Sequence, residues 1–311
     1  MPGPAVLLFD ATHVARTLSA RGWIDAARRA FVAAEPATAV PPLAIPLPGG
    51  SAHVKAGFAP GRPPLLCAKL NLNLPGNPRR GLPTIQGLVL ACDAARGTPL
   101  ALLDSGALTA WRTAAASVLA WRTLRPRAPR TAAIVGCGVQ GDAHARLLRA
   151  IWPRIALSAY DVDARRSLAL PRVRRAASAA DAVRDADVVV CATTSREPWL
   201  DPAMLRDDAF VAAVGADHAG KRELVDAFAA GHAFVVDRRA QAAAMGEWRH
   251  APSGRPPPPE LGELLRGERR APRARMVVFD STGFGLQDAH AVAAILRRPA
   301  RGVPRFAFAR Q

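Results

Sequence analysis

Hydrophobic and polar positions follow two rhythms along this chain. From Thr12 to Ala34, in "THVARTLSARGWIDAARRAFVAA", apolar residues return every three or four positions, which predicts one amphipathic helix. Five short apolar pieces follow: "PLAIPL", "SAHVKAGF", "LLCAKLNLNL", "TIQGLVLACD" and "TPLALLD". Pro and Gly turns separate them, as a mostly antiparallel sheet requires. The Ala-rich run "SGALTAWRTAAASVLAWRTL" is a strong helix former, with Ser105 as its expected N-cap.

At Arg130 the pattern changes. "RTAAIVGCGVQGDAHARLLRAI" is strand, glycine-rich turn and helix. "RIALSAYDVD", "DADVVVCATT", "DAFVAAVGAD" and "HAFVVD" read as further strands with helical stretches between them. Apolar strands alternating with helices predict an α/β region built on a doubly wound parallel sheet. "APSGRPPPPE" at 251–260 is a surface loop, and the tail after it gives a helix, a strand and a last helix. No internal repeat is visible.

Composition narrows the function classes. No run of about 18 or more uncharged apolar residues is present, so no membrane span is expected. The opening "MPGPAVLLFDATHVARTL" lacks the basic start and long apolar centre of a secretory signal, so a cytoplasmic protein is expected. The four cysteines, Cys67, Cys92, Cys137 and Cys191, form no C-x-x-C pair, which argues against a zinc site or a disulfide framework. No metal is expected. The net charge of +17 would suit nucleic acid, but the arginines are scattered and only one Tyr offers a stacking surface. We therefore expect no nucleic-acid partner. The field does favour anionic cofactors and carboxylate substrates.

Gly136, Gly138 and Gly141 spell G-x-G-x-x-G directly after the strand "TAAIV" and at the opening of a helix. That context marks a dinucleotide site, with the pyrophosphate at the helix N-terminus. Asp161, at the end of the next strand, suits the ribose hydroxyls of NAD and repels the extra phosphate of NADP. NAD(H) is favoured. Arg165 and Arg166 lie just beyond and leave NADP(H) as an alternative.

A second group of residues is unusual for this composition. Of 42 lysine plus arginine residues only three are lysine, Lys55, Lys69 and Lys221. The three asparagines, Asn71, Asn73 and Asn77, lie in the same "HVKAGFAPGRPPLLCAKLNLNLPGNP" as the first two lysines. Lys69 and Arg112 could clamp a small carboxylate, Arg as a planar fork and Lys as a point charge. Asp217, in "VGADHAGK" after a strand of the nucleotide half, is a candidate acid or base. The alternative is two solvated cations and a helix-capping aspartate.

The blocks "KLNLNLPGNPRRGLPTIQG", "DSGALTAWRTAAAS", "VGCGVQG", "ATTSREP", "VGADHAGKREL" and "VFDSTGFGLQD" resemble the ornithine cyclodeaminase/mu-crystallin family, from about residue 50 to about residue 298. The resemblance implies a Rossmann domain, 130–285, joined to a discontinuous α+β substrate and dimerisation domain, 1–129 with 286–311. It implies a homodimer and hydride transfer between a nicotinamide and the alpha carbon of an amino or imino acid. It also implies roles residue by residue. Lys69 would hold the substrate carboxylate, and Arg112 would lie where carboxylate and cofactor meet. Thr84 and Ser281 would touch the dinucleotide and Thr282 the substrate. Val139 and Gln140 would serve the pyrophosphate and Asp161 the ribose. Thr193 and the turn Val214, Gly215, Ala216 would line the nicotinamide side, with Lys221 just after. Asp217 matches the catalytic aspartate.

Two departures from the cyclodeaminase pattern matter. "PPLAIPLP" lacks the arginine those enzymes use for the carboxylate, and Lys55 stands where they keep a glutamate for the distal ammonium of ornithine. A cation there repels an ammonium and suits a carboxylate contact or a proton donor to an imine. "HVKAG…KLNLN…PGNP…GLPTIQG" is more similar to the Δ1-pyrroline-2-carboxylate reductases of the family. The expected reaction is NAD(P)H-dependent reduction of Δ1-pyrroline-2-carboxylate or Δ1-piperideine-2-carboxylate to L-proline or L-pipecolate. Ornithine or lysine cyclodeamination with ammonia release is the alternative, and a non-catalytic ligand-binding protein like mu-crystallin the third.

Overall fold

The structure, a computed structural model, describes residues 5–35 and 40–307. Two compact units divide the chain, residues 1–112 with 284–311 and residues 113–283. The resemblance implied breaks at 129/130 and 285/286. The first differs because the compact unit 113–283 claims the second half of a long helix that crosses the break.

The first unit carries β1 (Ala5–Phe9), α1 (Ala11–Thr17), α2 (Ala20–Val32), β2 (Leu43–Leu47), β3 (Gly50–Ala59), β4 (Leu65–Asn73), β5 (Ile85–Asp93) and β6 (Thr98–Asp104). Helix α3 (Ser105–Leu124) begins in this unit. The single helix expected over 12–34 is two helices. Asp10 caps the first through the His13 N–H, and Ser19 caps the second through the Gly22 N–H. Leu18 between them is extended, so the capping side chains override the continuous apolar rhythm. The cap of α3 also differs from expectation. Asp104 Oδ1 accepts the Ala107 N–H at 2.7 Å, and Ser105 is the first helical residue.

The second unit carries β7 (Thr131–Val135), α4 (Val139–Ile151), β8 (Ala156–Tyr160), α5 (Ala164–Ala169), β9 (Arg174–Arg175), α6 (Ala179–Val183), β10 (Val188–Cys191), β11 (Phe210–Ala213), α7 (Asp226–Gly231), β12 (Ala233–Val236), α8 (Arg239–Met245), α9 (Leu261–Arg266) and β13 (Val277–Asp280). Its strands form one parallel sheet in the order β12-β13-β11-β10-β7-β8-β9. β10, β11 and β13 are buried throughout, which is why they read as unbroken apolar runs. The order reverses at β7, between β8 and β10, so the loops at the C-terminal ends of β7 and β10 flank a switch point. The expected doubly wound sheet is present.

The chain then supplies the first unit with α10 (Gly285–Leu296) and β14 (Arg305–Ala307). The sheet of that unit runs β14-β1-β6-β5-β4-β3-β2, antiparallel except for the β1–β6 pair. Strands β1 and β14 were not legible in the apolar pattern. α10 packs on β3, β4 and α2. Its approach to β3 is extreme: a Cβ on Gly285 would stand 1.8 Å from the Ala56 carbonyl oxygen, and one on Gly57 2.4 Å from the Gly285 carbonyl carbon. Only two facing glycines let helix and strand backbones touch this way.

β4 has two unlike faces. Leu65, Cys67 and Lys69 turn inward, while Leu66 and Leu70 stand exposed. Leu66 pairs with Phe58 on β3 and Leu70 with Leu88 on β5, and these partners are exposed too. The outward face of the sheet is therefore a continuous apolar surface. Among the described residues no helix is long and apolar enough to cross a membrane.

Candidate active site

In the first unit, Lys69, Arg112 and Lys55 come together. Lys69 is only 3% exposed and Arg112 6%, so the solvated-cation alternative fails. Lys69 and Lys55 are cross-strand partners on β4 and β3. The Lys69 ammonium lies 2.8 Å from Asp288 Oδ2 and donates to Thr109 Oγ1 at 3.1 Å. Arg112 Nε lies 3.4 Å from Asp288 Oδ1, and its Nη1 donates to Gln287 Oε1 at 2.7 Å. Thr109 and Arg112, three residues apart, share one face of α3, and Gln287 and Asp288 occupy the first turn of α10. Burial pushes the Lys69 amine down to about 7; Asp288 opposes this, while Arg112 and Lys55 add to it. Burial alone would raise the Asp288 carboxyl, but the Lys69 and Arg112 charges outweigh it and hold it below its ordinary value. Thr84, half-buried just before β5, offers its carbonyl to the Leu74 N–H.

In the second unit, the dinucleotide fingerprint sits at the switch point. Gly136 has φ +93°, and a Cβ there would lie 2.5 Å from the Ala192 carbonyl oxygen. A Cβ on Gly141 would meet the Gly136 oxygen at 2.2 Å, whereas Gly138 faces open space. Gly138 is the N-cap of α4, no side chain caps that helix, and Val139 is exposed. This cradle of open N–H groups fits a pyrophosphate. Asp161 follows β8. Its Oδ2 accepts the Cys137 N–H of the glycine loop at 2.7 Å, and its Oδ1 accepts the Asp163 N–H at 2.9 Å. Arg165 forms a two-pronged pair with Asp163, at 2.9 and 3.0 Å.

The loops after β10 and β11 are tied by a residue the sequence did not single out. Glu223 accepts the Thr193 N–H and hydroxyl, both at 2.7 Å, and the Gly215 N–H at 2.9 Å. Burial pushes its carboxyl up to about 7; the Thr193 bonds oppose this and the nearby Glu247 adds to it. Val214, Gly215 and Ala216 are thereby fixed in one turn, and Asp217 at its end pairs with Lys221 at 2.8 Å. Lys221 is thus a partner of the candidate acid or base. Ser281 and Thr282 turn inward. Their hydroxyls donate to Asp237 at 3.3 and 3.1 Å, and Gln241 donates to the Thr282 hydroxyl.

Two arrangements thus stand on this chain: a buried cluster of cations suited to a carboxylate, and an open Rossmann cradle suited to a dinucleotide. The sequence profile of the ornithine cyclodeaminase/mu-crystallin family matches residues 62–301. This chain belongs to that family. Among its relatives in the family, Δ1-pyrroline-2-carboxylate reductase 2 of Burkholderia ambifaria is 35% identical over 264 residues, 79% of this chain and 80% of that protein. An archaeal alanine dehydrogenase, solved as a dimer with bound NAD, superposes with a TM-score of 0.82 at 25% identity, over 94% of this chain and 95% of its own. A probable ornithine cyclodeaminase from Bordetella pertussis gives 0.81 at 28% identity, over 96% and 99%. Oxidoreductases and cyclodeaminases are thus both represented among the relatives of this family member.

Asp288 and Glu223 were missed because each sits in an ordinary-looking local sequence, "LQDAH" and "GKREL". A signal existed for Asp288. α10 is apolar nearly all round, so it has no wet face for a charge, and a buried carboxylate must be paired.

Proposed function

We propose that the protein reduces a cyclic imino acid, Δ1-pyrroline-2-carboxylate or Δ1-piperideine-2-carboxylate, to L-proline or L-pipecolate. The observation that carries this reading is the buried Lys69 beside Arg112, with Lys55 opposite it on the next strand. Two of the three ammonium directions of Lys69 are taken by Asp288 and Thr109, which leaves one for a substrate carboxylate. Lys55 carries the wrong sign for the distal ammonium of ornithine, and this disfavours the cyclodeaminase reading.

A bound nicotinamide dinucleotide supplies the hydride that reduces the C=N carbon. Gly136, Gly138, Val139, Gln140 and Gly141 would take its pyrophosphate, and Asp161 its ribose. Thr84 and Ser281 would make further contacts to it. Thr193 and Val214 to Ala216 form its nicotinamide side. NADH is favoured because Asp161 is acidic and the Arg165 fork is already engaged by Asp163, which leaves less charge for a 2′-phosphate. Lys69 and Arg112 orient the imino acid through its carboxylate, and Thr282 borders it. Asp217 keeps the imine nitrogen protonated, with Lys55 as a second donor, and protonation makes the carbon electrophilic. Lys221, paired with Asp217 at 2.8 Å, holds that carboxylate in place.

The first unit, residues 1–112 with 284–311, serves substrate binding and dimerisation. The apolar face of Phe58, Leu66, Leu70 and Leu88 is the surface we assign to a second copy of the chain. Leu70→Glu should then yield monomers by light scattering, and an unchanged mass would contradict that assignment. The catalytic reading is tested by following NADH and NADPH consumption with both cyclic imino acids, beside ammonia release from ornithine. Imine-dependent oxidation of the nicotinamide supports it. Rapid ammonia release without imine reduction would make cyclodeamination the better reading.

A further inference from the structure

Taken alone, the cations of the carboxylate pocket would undo one another. Lys69 is buried with Arg112 from α3 and Lys55 from β3 close enough to oppose its charge. A buried amine in that position can shed its proton, and a neutral amine offers a carboxylate far less. Cys67, on the same strand, adds no charge: burial and the Asp288 carboxylate push its thiol up to about 12. Among the described residues, Asp288 is the carboxylate that pairs with both Lys69 and Arg112.

We propose that Asp288 is the positioning residue of the carboxylate site, fixing the Lys69 ammonium and the Arg112 guanidinium and keeping the ammonium charged for the substrate. This rests on the ketimine reading above only for the identity of the substrate. The placement follows from the fold. Gly57 and Gly285 let the first turn of α10 lie on β3. Asp288, three residues on, then reaches Lys69 with one oxygen and Arg112 with the other. Gln287 from the same turn holds the far side of Arg112. The N-terminal turn of α10 also favours the negative charge. Asp288 thus serves the substrate only through the two cations that would meet it.

The chain itself provides a direct readout, because its three lysines give three separable signals in lysine-13Cε NMR. In the wild type, Lys69 should titrate near neutrality, about 7. In Asp288→Asn it should titrate lower by about one pH unit or more, and Asp288→Glu should move it back toward the wild-type position. Titration with pyrrole-2-carboxylate, a planar carboxylate that cannot be reduced, supplies the second arm. Its affinity for Asp288→Asn should fall about tenfold at pH 8 and stay within about threefold of wild type at pH 5.5, where Lys69 regains its proton. NADH binding should stay intact in both variants, which reports a folded chain. An unmoved Lys69 titration in folded Asp288→Asn, or an equal loss of affinity at both pH values, overturns the proposal. If the Lys69 titration shifts as expected but pyrrole-2-carboxylate binds neither protein, the positioning role stands and the ketimine reading falls.

Discussion

Asp288 in the first unit and Glu223 in the second are both fully enclosed carboxylates, yet their surroundings drive them in opposite directions. Asp288 faces an ammonium at 2.8 Å and a guanidinium at 3.4 Å, and its carboxyl is held below the usual range. Glu223 is held by two N–H groups and a hydroxyl, and its carboxyl is pushed up to about 7. Burial raises both; only full opposite charges outweigh it. The difference suits two tasks. A site that must bind a charged group keeps Asp288 ionised by pairing it with two cations. A carboxylate that only ties two loops together needs donors, and neutral ones suffice.

Removing the cation should have the largest effect. Lys69→Met leaves Asp288 half-paired and deprives the substrate carboxylate of its charge-assisted bond. The expected loss is roughly 2 to 4 kcal/mol of binding to Δ1-pyrroline-2-carboxylate, with NADH affinity unchanged. Saturation kinetics together with NADH fluorescence titration check both halves. Equal loss of NADH binding would mean that Lys69 supports the whole chain rather than one ligand.

Separating α10 from β3 should come next. Gly285→Ala forces a methyl against the Ala56 carbonyl, so the helix must shift and carry Asp288 with it. We expect about 1 to 3 kcal/mol of lost stability, read by denaturant unfolding, together with a raised KM for the imino acid. A stable variant with unchanged KM would show that the tight backbone contact does not place Asp288.

The Glu223 side of the comparison has a pH signature. Its folded pKa is raised above that of the unfolded chain, so its contribution to stability is fully present below about 4.5, declines as pH rises and is lost above about 7. Glu223→Gln removes that titration. The melting temperature of the variant minus that of wild type should therefore become more positive, or less negative, from pH 5 to pH 8. A difference independent of pH would mean that Glu223 is ionised throughout.

The smallest effect should be on cofactor choice. Asp161→Ser removes the charge that opposes a 2′-phosphate and should move the NADPH/NADH ratio of kcat/KM by about tenfold toward NADPH. A wild type already preferring NADPH would mean that Arg165 or Arg166 governs the ribose end despite the Asp163 pair.

What the sequence disclosed about these two regions follows the range of the interactions. The Rossmann half was legible because its signals are local: a strand, three glycines and a helix within one stretch, then a carboxylate at the end of the next strand. Lys69 stood out by composition, since lysine is rare in a chain that uses arginine almost everywhere. Asp288 and Glu223 have partners far along the chain or on a neighbouring loop, so neither spacing nor periodicity reveals them. Helix α10 carried a usable hint, a charged residue in a helix with no polar face. The helix break at Ser19 and the cap at Asp104 were lost for another reason. Capping side chains decide helix limits over a turn or less, while apolar rhythm averages over several. Strand β14 was missed because three residues at a sheet edge leave little pattern of their own, and β1 because its five residues run straight into the stronger helical rhythm that follows.

The central claim, a buried cation pocket that selects a substrate by its carboxylate, is tested most directly by comparing two ligands that differ in that group alone. Isothermal titration of the wild type with pyrrole-2-carboxylate and with pyrrole-2-carboxamide presents the same planar ring with and without the charge. We predict at least about tenfold tighter binding of the acid, and competition by the acid against Δ1-pyrroline-2-carboxylate in the reductase assay. Equal binding of acid and amide would contradict the account.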